Sequence, residues 1–476
     1  MIKQWSKIGL LCIGGLALTD SPALAHEHAE DCAHAVEGEL SEVVRKLAEA
    51  ARVAWKRIDV PRERTVKLQV LGINDFHGRL AQGLLVANRP VGGAAVLASY
   101  LRAESAAFDG TSLIVHAGDH VGATPPNSAL LQDEPAIEVL NLLANRYCGK
   151  GLLSAPRCNV VGTLGNHEFD EGVDELLRLI GGGNHAKGPF LESRWRGARF
   201  PYVSANVIDA ESGDTLLPPY SIHDVQGERV AVIGAVLEAT PTIVTPQGVA
   251  GVRFVDEADA INAVVSKLTK RGIHAFIVTI HQGGSQPSFT GSTGSGSAAP
   301  SGAILEILTR LSSEVDVVVS GHTHSFTNAL VNNAQGHPIL VTQAFSNGTA
   351  FDDIELVIDR RSGDVVEKSA RIVTTYADEG PGLTPAQDVA SLVAAADARV
   401  APQVERVVGE AASAINRAQS AAGESALGNL IADAQRSAMG TDFAFMNPGG
   451  IRADLDQGPI TWGELFTIQP FSNDLV

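Results

Sequence analysis

Val66-Lys67-Leu68-Gln69-Val70-Leu71-Gly72-Ile73-Asn74-Asp75-Phe76-His77 decides how the rest of the chain is read. Its first eight residues are rich in β-branched and aliphatic side chains, the pattern of a buried strand. The strand runs directly into Asp75 and His77, two side chains that can bind cations. Further short runs repeat the arrangement between longer helical patterns: Ser112 to Val115, Asn159 to Val161, Val230 to Ile233, Ala275 to Ile280 and Val315 to Val319. Helical stretches are expected at Gly93 to Ser105, Asp174 to Ile180, Glu257 to Lys270 and Ala303 to Leu311. Strands alternating with helices predict an α/β layered domain.

Five of the six runs end in candidate ligands. Asp75 and His77 follow the first, Asp119 the second, Asn166 and His167 the third, His281 the fifth, and His322 and His324 the sixth. Open α/β sheets bind ligands at the carboxyl ends of their strands, so groups spread along the sequence are expected to converge. Each piece alone has a bland reading: an Asp-x-His pair caps a turn, Gly-Asp makes one, and a lone histidine sits in a core. Together they predict two divalent metal ions. Carboxylate and amide oxygens mixed with imidazoles suit Zn, Mn or Fe, and the lack of thiolates argues against a structural zinc knot. Asp119, flanked by Gly118 and Gly122, is the natural bridging carboxylate.

These residues carry a family resemblance. Asp75-Phe76-His77, Gly118-Asp119, Gly165-Asn166-His167-Glu168, His281 and Gly321-His322-Thr323-His324 resemble the five-part signature of calcineurin-like metallophosphoesterases. Asn166 to Asp170, with Gly428-Asn429-Leu430-Ile431-Ala432-Asp433-Ala434, resembles the bacterial periplasmic 5′-nucleotidase and UDP-sugar hydrolase family. The resemblance implies a four-layered α/β/β/α sandwich, a linker helix and an incomplete α/β nucleotidase C-terminal domain. It implies that Asp75, His77, Asp119 and His324 hold one metal, and Asp119, Asn166, His281 and His322 the other. His167 is then catalytic, oriented by Asp170. Such a pair of ions generates a hydroxide at neutral pH and clamps phosphoryl oxygens for in-line attack.

In the later region, Asn447-Pro448-Gly449-Gly450-Ile451-Arg452 and Pro470-Phe471-Ser472-Asn473 resemble the family's substrate-recognition motifs. Asn447, Gly449, Gly450, Arg452 and Phe471 are the expected substrate-binding residues, with Phe471 stacking on a base. The bland alternative is a glycine turn and a core phenylalanine. Some relatives carry an arginine where Gly423 stands, leaving open whether Arg417 replaces it. The family's second stacking aromatic would lie beyond Val476, so generic esters are expected to be handled better than nucleotides.

Composition narrows the partners. A net charge of -18, with 45% hydrophobic and 19% charged residues among 476, fits a folded chain of two or more domains. It argues against nucleic-acid polymers and anionic membranes, which need excess Lys and Arg. The expected partner is a small phosphate ester, a nucleotide by resemblance, cleaved in nucleotide catabolism. Alternatives within the enzyme class are a 2′,3′-cyclic nucleotide phosphodiesterase or a UDP-sugar hydrolase. Outside it stands a non-catalytic secreted ligand-binding protein, against which His167 and Asp170 argue.

The beginning reads as a signal peptide over residues 1–25: Lys3 and Lys7, an apolar run from Ile8 to Leu18, Pro22, then Ala23-Leu24-Ala25. An uncleaved anchor or a buried helix is the alternative. Cleavage would leave a periplasmic or secreted protein with no membrane anchor. A mobile segment is expected over residues 26–64, where His26 to His34 either collects metal or is simply solvated. The catalytic domain is expected at 65–380. Thr384-Pro385 is read as cap and first turn of a linker helix over 384–402, broken by Pro402. The partial substrate-recognition domain is expected at 403–476, with a helix over Ala426 to Met439 and a strand over Phe443 to Phe445. Gly283 to Gly302 reads as a flexible surface connector. Cys148 and Cys158 are either a disulfide or two free thiols, Cys12 leaves with the signal, and Cys32 has no evident partner.

Overall fold

The computed structural model describes residues 64–149, 156–296 and 298–471. The signal segment, Cys12, Cys32, the His26 to His34 tract, and Ser472 and Asn473 lie outside the described residues.

Two mixed sheets face each other. In the first, strands run in the order Val365–Thr374, Ala350–Asp359, Thr65–Ile73, Thr111–His116, Val160–Gly162. Thr65–Ile73 is parallel to Thr111–His116, which is parallel to Val160–Gly162; the other two pairings are antiparallel. In the second sheet the order is Phe326–Asn332, Pro338–Ala344, Val315–Ser320, Ala275–His281, Glu228–Val236, Tyr220–Val225, with the four central strands parallel.

The layering follows from the period of two along each strand. Val66, Leu68 and Val70 face inward with Val230, Val232, Ala275, Ile277, Val317 and Val319, forming the core between the sheets. On the opposite face of the first sheet, Leu71, Ile73, Ile114 and Val160 meet Leu97, Leu101, Ile137 and Leu140, which lie on helices Ala94–Ala107 and Glu134–Leu143. On the outer face of the second, Ile233, Phe276, Val278 and Ile280 meet Ile261, Val265 and Leu268 of Glu257–Thr269, and Ile307 and Leu308 of Ile304–Arg310. The result is a helix/sheet/sheet/helix sandwich. Each fully buried aliphatic chain contributes about 1.5–3 kcal/mol by leaving water.

Three local expectations need correcting. The connecting helix spans Gln387–Val404, capped by Ala386 without a side-chain bond; Thr384 and Pro385 precede it. Pro402 does not break it, because a proline in the final turn forfeits little of the helix beyond itself. Phe443 to Phe445 form no strand: Phe443 is 78% and Phe445 92% exposed, with no described strand beside them to pair with. The Gly283 to Gly302 segment is an irregular loop, yet it is pinned. Ser285 bridges Ser301, and Thr293 bonds both Ala370 and Asn328.

After the helix, Val407–Ala411 pairs antiparallel with Gly458–Thr461, and helices Ala426–Met439 and Trp462–Ile468 pack with them around Leu427, Ile431, Ile451 and Ile468. Trp462–Ile468 starts in a capping box of Thr461 and Glu464. Cys148 and Cys158 are joined by a disulfide. Among the described residues no helix is long and apolar enough to cross a membrane.

Candidate dinuclear metal centre

All seven expected ligands lie at the carboxyl ends of parallel strands, His281 as a last strand residue and the other six on loops that hold one another. Asp75 N–H donates to Gly118 O (3.2 Å) and His77 N–H to Asp119 O (2.9 Å), joining the first loop to the second. His322 N–H reaches Asp75 Oδ2 (2.9 Å), and His167 N–H reaches Asp119 Oδ1 (2.9 Å). Five of the seven have positive φ: Asp75 48°, His77 47°, Asp119 48°, His322 75° and His324 53°. Such backbone costs on the order of 1–3 kcal/mol per residue and collects at functional sites. Gly118 and Gly165 let the loops touch, since a Cβ on either would collide with the other loop.

The side chains form two groups. Asp75, His77 and His324 make one and Asp119, His281 and His322 the other, the ligand atoms of each lying within 4.8 Å of one another. His324 Nε2 is 3.2 Å from Asp75 Oδ1 and 3.1 Å from His77 Nε2. Asn166 Oδ1 joins the second group, 3.2 Å from His281 Nε2 and 3.0 Å from His322 Nδ1. Asp119 Oδ2 lies between the groups, 3.0 Å from His281 Nε2 and 3.7 Å from His77 Nε2.

This donor set fits two divalent cations. Asp75 and Asp119 are fully buried, and among the described residues only histidines pair with them. Burying carboxylates so is costly without positive charge nearby. Part of that charge can come from the imidazoles. Burial opposes it, but Asp119, its hydrogen bond and Asp75 push His281 up to about 10. Burial instead pushes His77 down to about 3, leaving it neutral despite Asp119. The outward nitrogens are fixed by backbone: His77 Nδ1 on Gly122 O and His281 Nδ1 on Ala117 O, both 2.8 Å. With Nδ1 donating, each Nε2 faces the centre, the usual orientation of a metal-binding imidazole.

His167 and Asp170 stand beside the groups rather than in them. His167 Nδ1 is 2.7 Å from Asp170 Oδ2, and its ring is edge-on to His77, centroids 5.2 Å apart. Burial works against protonation, yet Asp119 and then Asp170 push His167 up to about 9. A cleft of about 570 Å³ opens here, lined by Asn166, His167, Asp170 and His322 on one wall and Asn447, Gly449, Gly450, Arg452 and Phe471 on the other. Phe471 stacks on His167 itself, centroids 5.7 Å apart at 26°. Arg417 reaches the same region, bonding Ile451 O (3.0 Å) and lining a smaller neighbouring cavity with Arg452. At Gly423 φ is 84° and no atom approaches.

Two residues had no role in the sequence reading. Glu168, quoted only as part of a motif, is buried and accepts N–H bonds from Asp119 (2.9 Å), His120 (2.8 Å) and Gly165, tying down the loop that carries the bridging carboxylate. Burial, then Asp119, push it up to about 7. Arg79 lies just after the first ligand pair, a position that was its only signal.

The family model described as calcineurin-like phosphoesterase matches residues 68–326, more than half of the chain, and that of the 5′-nucleotidase C-terminal domain matches 407–476. Endonuclease YhcR of Bacillus subtilis (strain 168) is 38% identical over 90% of this chain and 33% of its own length. Cell wall protein Lmo0130 of Listeria monocytogenes is 34% identical over 86% of this chain and 54% of its own length. The chain thus spans about a third of one relative and about half of the other. Among solved structures, the 5′-nucleotidase precursor from Thermus thermophilus superposes with a TM-score of 0.66 at 26% identity, covering 86% of this chain and 74% of that one. Since the matched span runs from the strand ahead of Asp75 past His324, the chain belongs to the calcineurin-like phosphoesterase family.

Proposed function

We propose that the protein is an exported, metal-dependent phosphoesterase of 5′-nucleotidase type, hydrolysing the phosphate ester of a nucleotide. The observation that supports this most is the pair of ligand groups meeting at Asp119, with the His167–Asp170 pair beside them on one cleft. Asp75, His77, Asp119 and His324 would hold one ion, and Asp119, Asn166, His281 and His322 the other, with Zn, Mn or Fe suiting the donors. When bound, such ions supply an activated water and neutralise phosphoryl charge.

The remaining steps belong to side chains. Asp170 accepts a hydrogen bond from the Nδ1–H of His167 and so turns its Nε2 toward the cleft. There His167 stabilises charge building on the phosphoryl or leaving oxygen. Arg452 grips oxygens with a planar fork, and Asn447 with Phe471 holds the leaving group. For Phe471 to take a base, the base must share or replace its contact with His167. In this reading the catalytic domain is the expected 65–380 and the recognition region the expected 403–476, while the linker is the helix Gln387–Val404 rather than 384–402. The Cys148–Cys158 disulfide and the leader-like beginning support export.

A second reading, diester hydrolysis, is favoured by the endonuclease name of one relative. A panel of AMP, UDP-glucose, a 2′,3′-cyclic nucleotide and bis(4-nitrophenyl) phosphate, with and without chelator, separates the readings. Chelator-sensitive release of phosphate from AMP above the others is expected; a preference for the diester would replace the first reading by the second.

A further inference from the structure

Beside the cleft, on its His77 and His324 side, is a cavity of about 110 Å³ into which Arg79, Arg417 and Arg452 all extend, with Thr124, Asn347 and Thr467. Arg79 comes from the loop that carries Asp75 and His77, whereas the other two come from the later region. Arg79 Nε is buried and has no hydrogen-bond partner. Among the described residues none of the three arginines forms an ion pair with a carboxylate. Three guanidiniums lining one small space favour an anion there.

The two cavities divide the labour by size. They share Ala123, Thr124, His324 and Arg452, so one molecule can extend from one into the other. The 570 Å³ cleft has room for a nucleoside-sized group. The 110 Å³ cavity is the smaller of the two, and the three guanidiniums on its wall suit it to the phosphoryl end of such a molecule.

Resting on the phosphoesterase reading, we propose that Arg79 is a specificity-determining residue. It holds the non-bridging oxygens of a terminal phosphoryl group from the catalytic-domain wall, and with Arg417 and Arg452 it restricts the site to phosphomonoesters over diesters. A monoester presents two negative charges and three unsubstituted oxygens to this space. A diester presents one charge and fewer unsubstituted oxygens, and so gains less from three guanidiniums.

The test uses the full chain, Arg79→Ala and Arg79→Lys, with three readouts: calorimetric titration with inorganic phosphate, kcat/KM for 4-nitrophenyl phosphate and for bis(4-nitrophenyl) phosphate, and metal content. Arg79→Ala is expected to weaken phosphate binding about tenfold or more, the scale of one charge-assisted hydrogen bond, and to lower monoester kcat/KM equally. Diester kcat/KM should change far less, metal content should not change, and Arg79→Lys should recover part of the loss, its charge remaining without the fork. Unchanged phosphate affinity, or equal losses on both esters, overturns the proposal. Loss of metal in both variants also overturns it, making Arg79 a support of the ligand loop. If the wild type cleaves neither ester, the functional reading fails, while the phosphate titrations still decide whether Arg79 builds an oxyanion site.

Discussion

Removing His167 and loosening it should have different costs. His167→Ala deletes a group placed beside both ligand groups, and losing a positioned acid or charge stabiliser slows turnover by about 10²- to 10⁴-fold, or about 3–5.5 kcal/mol. Asp170→Asn keeps the imidazole but neutralises the partner 2.7 Å from its Nδ1. Hydrogen bonds to charged groups contribute about 1.5–3 kcal/mol. Because the Asp170 side chain is 27% exposed, water screens part of that, and the lower end is expected: about tenfold in kcat. The two variants also differ in pH dependence. Burial depresses the His167 pKa, while Asp119 and Asp170 raise it, so the protonated form persists to higher pH because Asp170 is there. Without that charge the alkaline limb of kcat should move to lower pH. Profiles of kcat against pH with 4-nitrophenyl phosphate, with metal content measured alongside, test both statements. Full activity of His167→Ala, a larger loss from Asp170→Asn than from His167→Ala, or a limb displaced to higher pH would refute the reasoning.

Replacing Cys148 and Cys158 by serine should lower stability by about 2–3 kcal/mol, the loop entropy of a bond across a separation of 10 residues, seen as a lower Tm with kcat retained. An unchanged Tm would show that the bond adds nothing in solution. Asp352 lies fully buried between the sheets, where burial pushes it well above the usual carboxylate range and the neighbouring Thr342 hydroxyl offsets little. A raised folded pKa means that its stability contribution is present below the ordinary carboxylate pKa and is lost as pH rises through the raised value. Asp352→Asn should therefore raise Tm at pH 8 and leave it nearly unchanged at pH 4; a lower Tm at pH 8 would show that the carboxylate has a compensating partner.

The ligand-bearing strands were legible because their apolar runs stop abruptly at Asp75, Asp119, Asn166, His281 and His322, and a buried parallel strand has few ways to end. Which sheet each strand joins was not legible, since Val66, Val230 and Val317 look alike and only the fold sets them face to face. The antiparallel strands Ala350–Asp359 and Val365–Thr374 escaped notice because the first pairs with Thr65–Ile73 only across a long stretch of sequence, and the second, paired to the first at the sheet edge, buries only Ala370. Phe443 to Phe445 look like a strand by residue type alone, but a strand needs a neighbour. Arg79 could not be singled out because its surroundings include Arg417 and Arg452, brought to it only by the placement of the later region.

The central claim is that Asp119 is shared by two ions. Elemental analysis of purified wild type and Asp119→Ala, beside the single-group variants His77→Ala and His322→Ala, tests it most directly. Two divalent ions per chain are expected in the wild type, with one ion lost from each histidine variant and both from Asp119→Ala. Two ions retained in Asp119→Ala, or fewer than two bound by a metal-supplied wild type, would contradict it.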